Sequence, residues 1–175
     1  GVCVNDKFQH YVAPTRPCSA FLDMETRILV VRMVPGFDDA ALHACFAKVR
    51  AVVLELYGTG TAPSRRQSLV DALQDAKRRD VVVVATTQCR RGGIIRDAYA
   101  VGQALLDAAV VPAGDMTTEA ASTKLAYLLG KFPDDADKVR RLFAVSLRGE
   151  LSSPDHYTRP FFEGGHLKSP ARLLL

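Results

Sequence analysis

The chain has 175 residues, 48% of them hydrophobic and 24% charged, which is enough apolar material for one ordinary folded domain and too much for a disordered chain. The formal net charge of +4 is mild. Basic residues fall in scattered pairs, Arg65-Arg66, Arg78-Arg79, Arg90-Arg91 and Arg140-Arg141, with acidic neighbours and no aromatic interleaving, the pattern of a solvated surface and not of a nucleic-acid binder.

Residues 1–26 show no sustained period and carry Pro14 and Pro17, so they read as a short extended piece followed by a connector. Gly1 to Lys7 lacks the pattern of a secretion signal. From Arg27 the character changes. Ile28-Leu29-Val30-Val31-Arg32-Met33 predicts a strand ended by Pro35-Gly36. Asp38 then opens a helix in which Leu42, Cys45, Phe46 and Val49 share one apolar face. The plan repeats with Ala51 to Leu56 as a strand, Gly58 to Pro63 as a glycine turn and about Ser64 to Arg79 as a helix. Its stripe is Leu69, Ala72, Leu73 and Ala76, and Lys77, Arg78 and Arg79 complement the negative end of its dipole.

The chain is organised around the next stretch, Val81-Val82-Val83-Val84-Ala85. Four consecutive valines predict a strand buried on both faces, in the middle of a parallel sheet. Thr86, Thr87, Gln88 and Cys89 are expected just past its carboxyl end, where open α/β sheets bind ligands. A loop through Gly92-Gly93 leads to a small-residue helix from Ala98 to Ala108, and Val110-Val111 predicts a short fourth strand. Asp115 is placed to cap the next helix and Gly130 to end it, with Leu125, Leu128 and Leu129 turned inward. A last helix, about Asp134 to Ser146, buries Val139, Leu142 and Phe143. After Glu150 the order is expected to fade into a tail rich in proline and glycine. Strands alternating with helices predict an α/β, three-layer, flavodoxin-like parallel sheet of about four strands with helices on both faces and right-handed crossovers.

Several motifs bear on chemistry. Gly58-Thr59-Gly60-Thr61-Ala62-Pro63 has the placement of a dinucleotide-binding turn, but the third glycine is missing and Pro63 stands in its place. A turn that needs positive φ explains these glycines without a cofactor. Cys89 to Arg96 invites comparison with a phosphatase loop, yet six residues separate the two where that loop has five. Neighbouring arginines favour a thiolate, so Cys89 is reactive where exposed; the plain alternative is a small, partly buried side chain. Asp115 and Glu119 resemble an acid/base pair, and helix capping accounts for them equally. The four histidines and four cysteines show no CxxC pair and no metal-ligand spacing, which fits reduced thiols and no zinc site. No apolar run approaches the roughly 20 residues of a membrane helix.

Taken in order, Tyr57 to Pro63, Thr87-Gln88-Cys89, Tyr99 to Leu105, Asp115 to Ala120 with Thr123-Lys124-Leu125 and Tyr127-Leu128-Leu129, and Leu147-Arg148-Gly149-Glu150-Leu151 resemble the C-terminal domain of type I, cytoplasmic L-asparaginases. The likeness is collinear from Ile28 to Asp155. It implies residues 1–26 as the end of a preceding domain and an interdomain linker, 27–155 as the C-terminal α/β domain, and 156–175 as a tail. It also implies a cytoplasmic homodimer or higher oligomer that hydrolyses L-asparagine through an acyl-threonine intermediate. The family's nucleophilic threonines belong to the N-terminal domain. Neither its Thr-Gly-Gly-Thr motif nor its Thr-Asp pair occurs in this sequence, so no catalytic residue is expected here. The resemblance makes Tyr57, Gly58, Gly60, Thr61, Thr86, Thr87, Gln88 and Cys89 residues that complete a neighbouring subunit's site or bind an effector. Thr61 stands where relatives commonly have asparagine. Glu55 stands where some cytoplasmic members use an arginine for regulatory asparagine, and its charge would repel the effector's carboxylate. The alternative from another class is a stand-alone flavodoxin-like module for small-molecule binding or interaction, with its crevice at residues 57–61 and 86–93.

Overall fold

The computed structural model describes residues 17–58, 60, 67–89, 92–94 and 103–152. Within them the valine run lies in the interior of a four-stranded parallel sheet. Its strand, β3 (Val82–Thr87), runs between β2 (Ala51–Leu56) and β4 (Val111–Pro112), with β1 (Ile28–Arg32) on the far edge beyond β2. Val82, Val83, Val84 and Ala85 are all buried, as a strand covered on both faces requires.

Alternation along the strands separates two cores. Val52, Leu54, Leu56, Val83 and Ala85 face α1 (Asp39–Phe46), α2 (Gln67–Arg78) and α3 (Gln103–Asp107), where they meet Phe46, Leu73 and Leu105. Ala51, Val53, Val82 and Val84 face α4 (Thr118–Lys131) and α5 (Ala136–Phe143), where they meet Leu125, Leu128, Val139 and Phe143. Each large apolar side chain so buried contributes about 1.5–3 kcal/mol relative to exposure, which is how two layers of short helices hold a short sheet.

The observed elements refine several expectations. Thr86 and Thr87 are the last two residues of β3, not the start of the loop beyond it, because each still pairs in register with β2, Thr86 with Glu55 and Thr87 with Leu56. Helix α1 stops at Phe46, leaving Cys45 exposed and Val49 past its end. Asp115 does not cap α4. Thr117 is the cap, its side chain accepting from the Ala120 N–H at 3.2 Å, while Asp115 Oδ1 accepts from the Ser152 N–H at 3.0 Å. Burial of Met116 fixes this register. Nor does Gly130 end α4; the helix passes through it to Lys131. The last helix is shorter than expected and begins after Asp135, whose side chain accepts from the Lys138 N–H at 2.8 Å. Residues 61–66 and 95–102, and the tail from 153, lie outside the described residues.

The described residues reach Ser152, and a buried cation anchors the loop that leads there. Lys124, on the inner side of α4, donates to the Val145 carbonyl and pairs with Glu150, both at 2.5 Å. Glu150 in turn accepts the N–H groups of Leu147 at 2.9 Å and Arg148 at 2.6 Å. Burial pushes the Lys124 ammonium below its usual range, against the pull of Glu150. Burial works to raise Glu150 as well, but the Lys124 hydrogen bond and the loop N–H groups prevail and hold its carboxyl at about 2.

Candidate functional site at the carboxyl rim of the sheet

The carboxyl ends of β1, β2 and β3 come level at Arg32, Glu55 and Thr86, which are partners across the two strand pairs. By alternation all three point toward α4. Thr118, the first residue of that helix, donates its hydroxyl to Glu55 Oε1 at 2.7 Å, and the Thr86 and Thr118 hydroxyls lie 3.3 Å apart. Arg32 Nε lies 3.5 Å from the other Glu55 oxygen. The row thus runs from an exposed guanidinium through a largely covered carboxylate to a buried hydroxyl, crossing three strands.

A second layer sits on top. The Gln88 side-chain amide donates to the Met33 carbonyl at 2.6 Å and to the Glu55 carbonyl at 2.9 Å, while the Gln88 backbone N–H donates to Leu56 at 3.0 Å. The Thr87 hydroxyl donates to the Gly58 carbonyl and accepts from the Cys89 N–H at 3.0 Å. Cys89 itself is an exposed free thiol.

Tyr57 is half-buried against the apolar face of α1–α3. The turn that follows closes with the Gly60 N–H on the Tyr57 carbonyl at 2.9 Å. Gly60 is buried with φ +110°, and a Cβ there would lie 2.9 Å from Ile94 Cγ2, so both backbone and space call for glycine. Ile94 is itself buried, and its N–H donates to the Gly114 carbonyl at 2.9 Å just before α4.

The structure therefore brings together Tyr57, Gly58, Gly60, Thr86, Thr87, Gln88 and Cys89 along one rim. Thr61 lies outside the described residues. Sequence reasoning missed Arg32, Thr118 and Ile94. For Arg32 the signal was available: it closes an apolar run, as Glu55 does, and parallel pairing sets the two ends level. The rim offers polar contacts and a tightly folded glycine turn. Among the described residues the Thr118 hydroxyl donates to the Glu55 carboxylate, which also faces Arg32. Among the described residues no three His, Cys, Asp or Glu side chains converge to hold a metal ion, and no helix is long and apolar enough to cross a membrane.

A four-stranded parallel sheet with helices on both faces and a polar carboxyl rim defines an open α/β domain. The chain belongs to the Glutaminase/Asparaginase C-terminal domain family, whose pattern matches residues 27–143. It is 40% identical over 127 residues to L-asparaginase 1 of Escherichia coli strain K12, covering 72% of this chain and 37% of that protein. It is 35% identical over 130 residues to the L-asparaginase of Thermococcus kodakarensis, covering 74% of this chain and 39% of the relative, and the structure of the thermostable enzyme from that organism superposes with a TM-score of 0.68. L-asparaginase I from Vibrio cholerae superposes with the same score at 37% identity, over 73% of this chain and 38% of that one. The chain thus spans about two fifths of the length of these relatives.

Proposed function

We propose that this chain is the dimer-forming, active-site-completing domain of a cytoplasmic L-asparaginase that hydrolyses L-asparagine to L-aspartate and ammonia. In this reading residues 27–155 are the C-terminal domain, 1–26 the end of a preceding domain and its linker, and 156–175 a tail. The nucleophile is supplied by the N-terminal domain, and the assembly is a homodimer or higher oligomer. The observation that carries the reading is the rim. The segments that resemble the family, the Tyr57–Gly60 turn and Thr87-Gln88-Cys89, are distant in sequence and hydrogen-bonded to each other.

The division of labour follows from chemistry. Acyl transfer needs an activated nucleophile and donors for the developing oxyanion, and this sequence lacks the threonine motifs that serve the family. What Tyr57, Gly58, Gly60, Thr61, Thr86, Thr87, Gln88 and Cys89 supply is contact with a neighbouring subunit and with L-asparagine. Glu55, held by Thr118 and Arg32, is the wrong charge for a second asparagine's carboxylate, so regulatory binding at this rim is weak or lost.

Ammonia release tests the proposal. The 175-residue chain alone should release none from L-asparagine, and mixing with a complementary threonine-bearing half should restore hydrolysis. Hydrolysis by the chain alone, or silence from every such pair, would overturn it.

A further inference from the structure

Residues 21–26, which the sequence assigns to a connector, and Arg27 after them run beside α4, which Phe21, Asp23 and Glu25 touch. The Glu25 N–H donates to the Ala126 carbonyl at 3.0 Å. The Phe21 ring meets Tyr127 edge-on, with centroids 5.3 Å apart. The Asp23 carbonyl sits so close to Gly130 that a Cβ on Gly130 would collide with its oxygen. Positions 126, 127 and 130 lie on one side of the helix. The segment is also braced internally: the Met24 N–H donates to Leu22 at 2.8 Å, and the Glu25 carboxylate takes the Arg27 backbone N–H at 2.9 Å and its guanidinium at 2.8 and 3.0 Å.

Glycine is a poor helix former, and inside a helix it needs a packing reason. Gly130 is neither a cap nor a bend. It stands one residue before the last of a fourteen-residue helix, where the Asp23 carbonyl occupies the space of its missing side chain.

We propose that α4 is a docking surface for this chain's own incoming polypeptide: residues 21–27 form a strap, Gly130 is the socket that admits it, and whatever precedes residue 21 leaves the sheet domain from a fixed place. The strap turns a nominal tether into a rigid spacer, so helix α4 sets where the chain enters the sheet domain. This inference stands apart from the function proposed above, because every contact it uses lies within the chain.

Hydrogen exchange on the 175-residue chain tests it, with Gly130→Ala and Phe21→Ala as variants. In the wild type the Glu25 amide exchanges slowly. Gly130→Ala speeds it at least about tenfold while the amides of Val53 and Val84 keep their rates. That variant also lowers Tm, although alanine is the better helix former and would raise Tm in an unoccupied helix. Phe21→Ala leaves the helix sequence intact and accelerates Glu25 exchange about threefold or more. A Glu25 amide that exchanges at the free-peptide rate in the wild type overturns the proposal. So does a Gly130→Ala variant with raised Tm and unchanged Glu25 exchange. Should Gly130→Ala also expose the β-strand amides, Phe21→Ala alone settles the matter: faster Glu25 exchange supports the strap, and unchanged exchange removes it.

Discussion

The two faces of the sheet are built on different principles. Toward α1–α3 the buried side chains among the described residues are apolar. Toward α4 and α5 the apolar core is joined by the row Arg32, Glu55, Thr118 and Thr86 at the rim and by the Lys124–Glu150 pair behind it. Apolar burial stabilises without specifying direction, whereas a buried polar group is satisfied in few arrangements and costs heavily in the others. Both faces stabilise the fold; the polar groups of the second also fix where the rim stands.

The comparison is sharpened first by two truncations. Phe46→Ala on the apolar face and Phe143→Ala on the mixed face should each destabilise by about 3–5 kcal/mol in urea titrations. A cost for Phe143 well below that for Phe46 would mean the mixed face is not a packed core. Next comes the ion pair. Lys124→Met alone leaves Glu150 covered and unpaired, at a cost of about 3 kcal/mol, and adding Glu150→Leu should recover more than half of it. Additive losses in that cycle would show that the two residues do not act as a unit.

Acid provides a third probe. The folded pKa of Glu150 lies at about 2, below its usual value of 4.5. Its contribution is therefore complete above pH 4.5 and fades as pH falls from there toward 2. Allowing for its residual exposure, about 2 kcal/mol should be lost over that window. Stability curves of Glu150→Gln should lack this component, and a wild-type curve parallel to the variant's would contradict the assignment. The smallest expected effect is at the rim, where Thr118→Val should cost about 1 kcal/mol by denaturation; no change would mean the Arg32–Glu55–Thr86 row holds without it.

The apolar skeleton was legible because period alone reveals it: the valine run, the stripe of α2 and the inward leucines of α4 all stand where the pattern puts them. Capping near Asp115 was harder to read, since Asp115 and Thr117 are both competent caps and tertiary burial of Met116 decided between them. Gly130 carried the same ambiguity. Glycine ends helices and also admits close neighbours, and only the position of Asp23 tells which. Resemblance could name residues for the rim, but not the side chains that hold them. Arg32, Thr118 and Ile94 come from elements brought together by register and crossover, and no local stretch of sequence encodes that meeting.

One detail of the rim constrains what it can recognise. Gln88 uses both hydrogens of its side-chain nitrogen on the Met33 and Glu55 carbonyls, and carbonyls accept only, so the orientation of the amide is not arbitrary. The other end of that amide is an oxygen, which only accepts, next to a strand whose side chain at position 55 is an acid. A group that hydrogen-bonds to that oxygen must bring the hydrogen itself, as amines, amides and alcohols do and carboxylates do not.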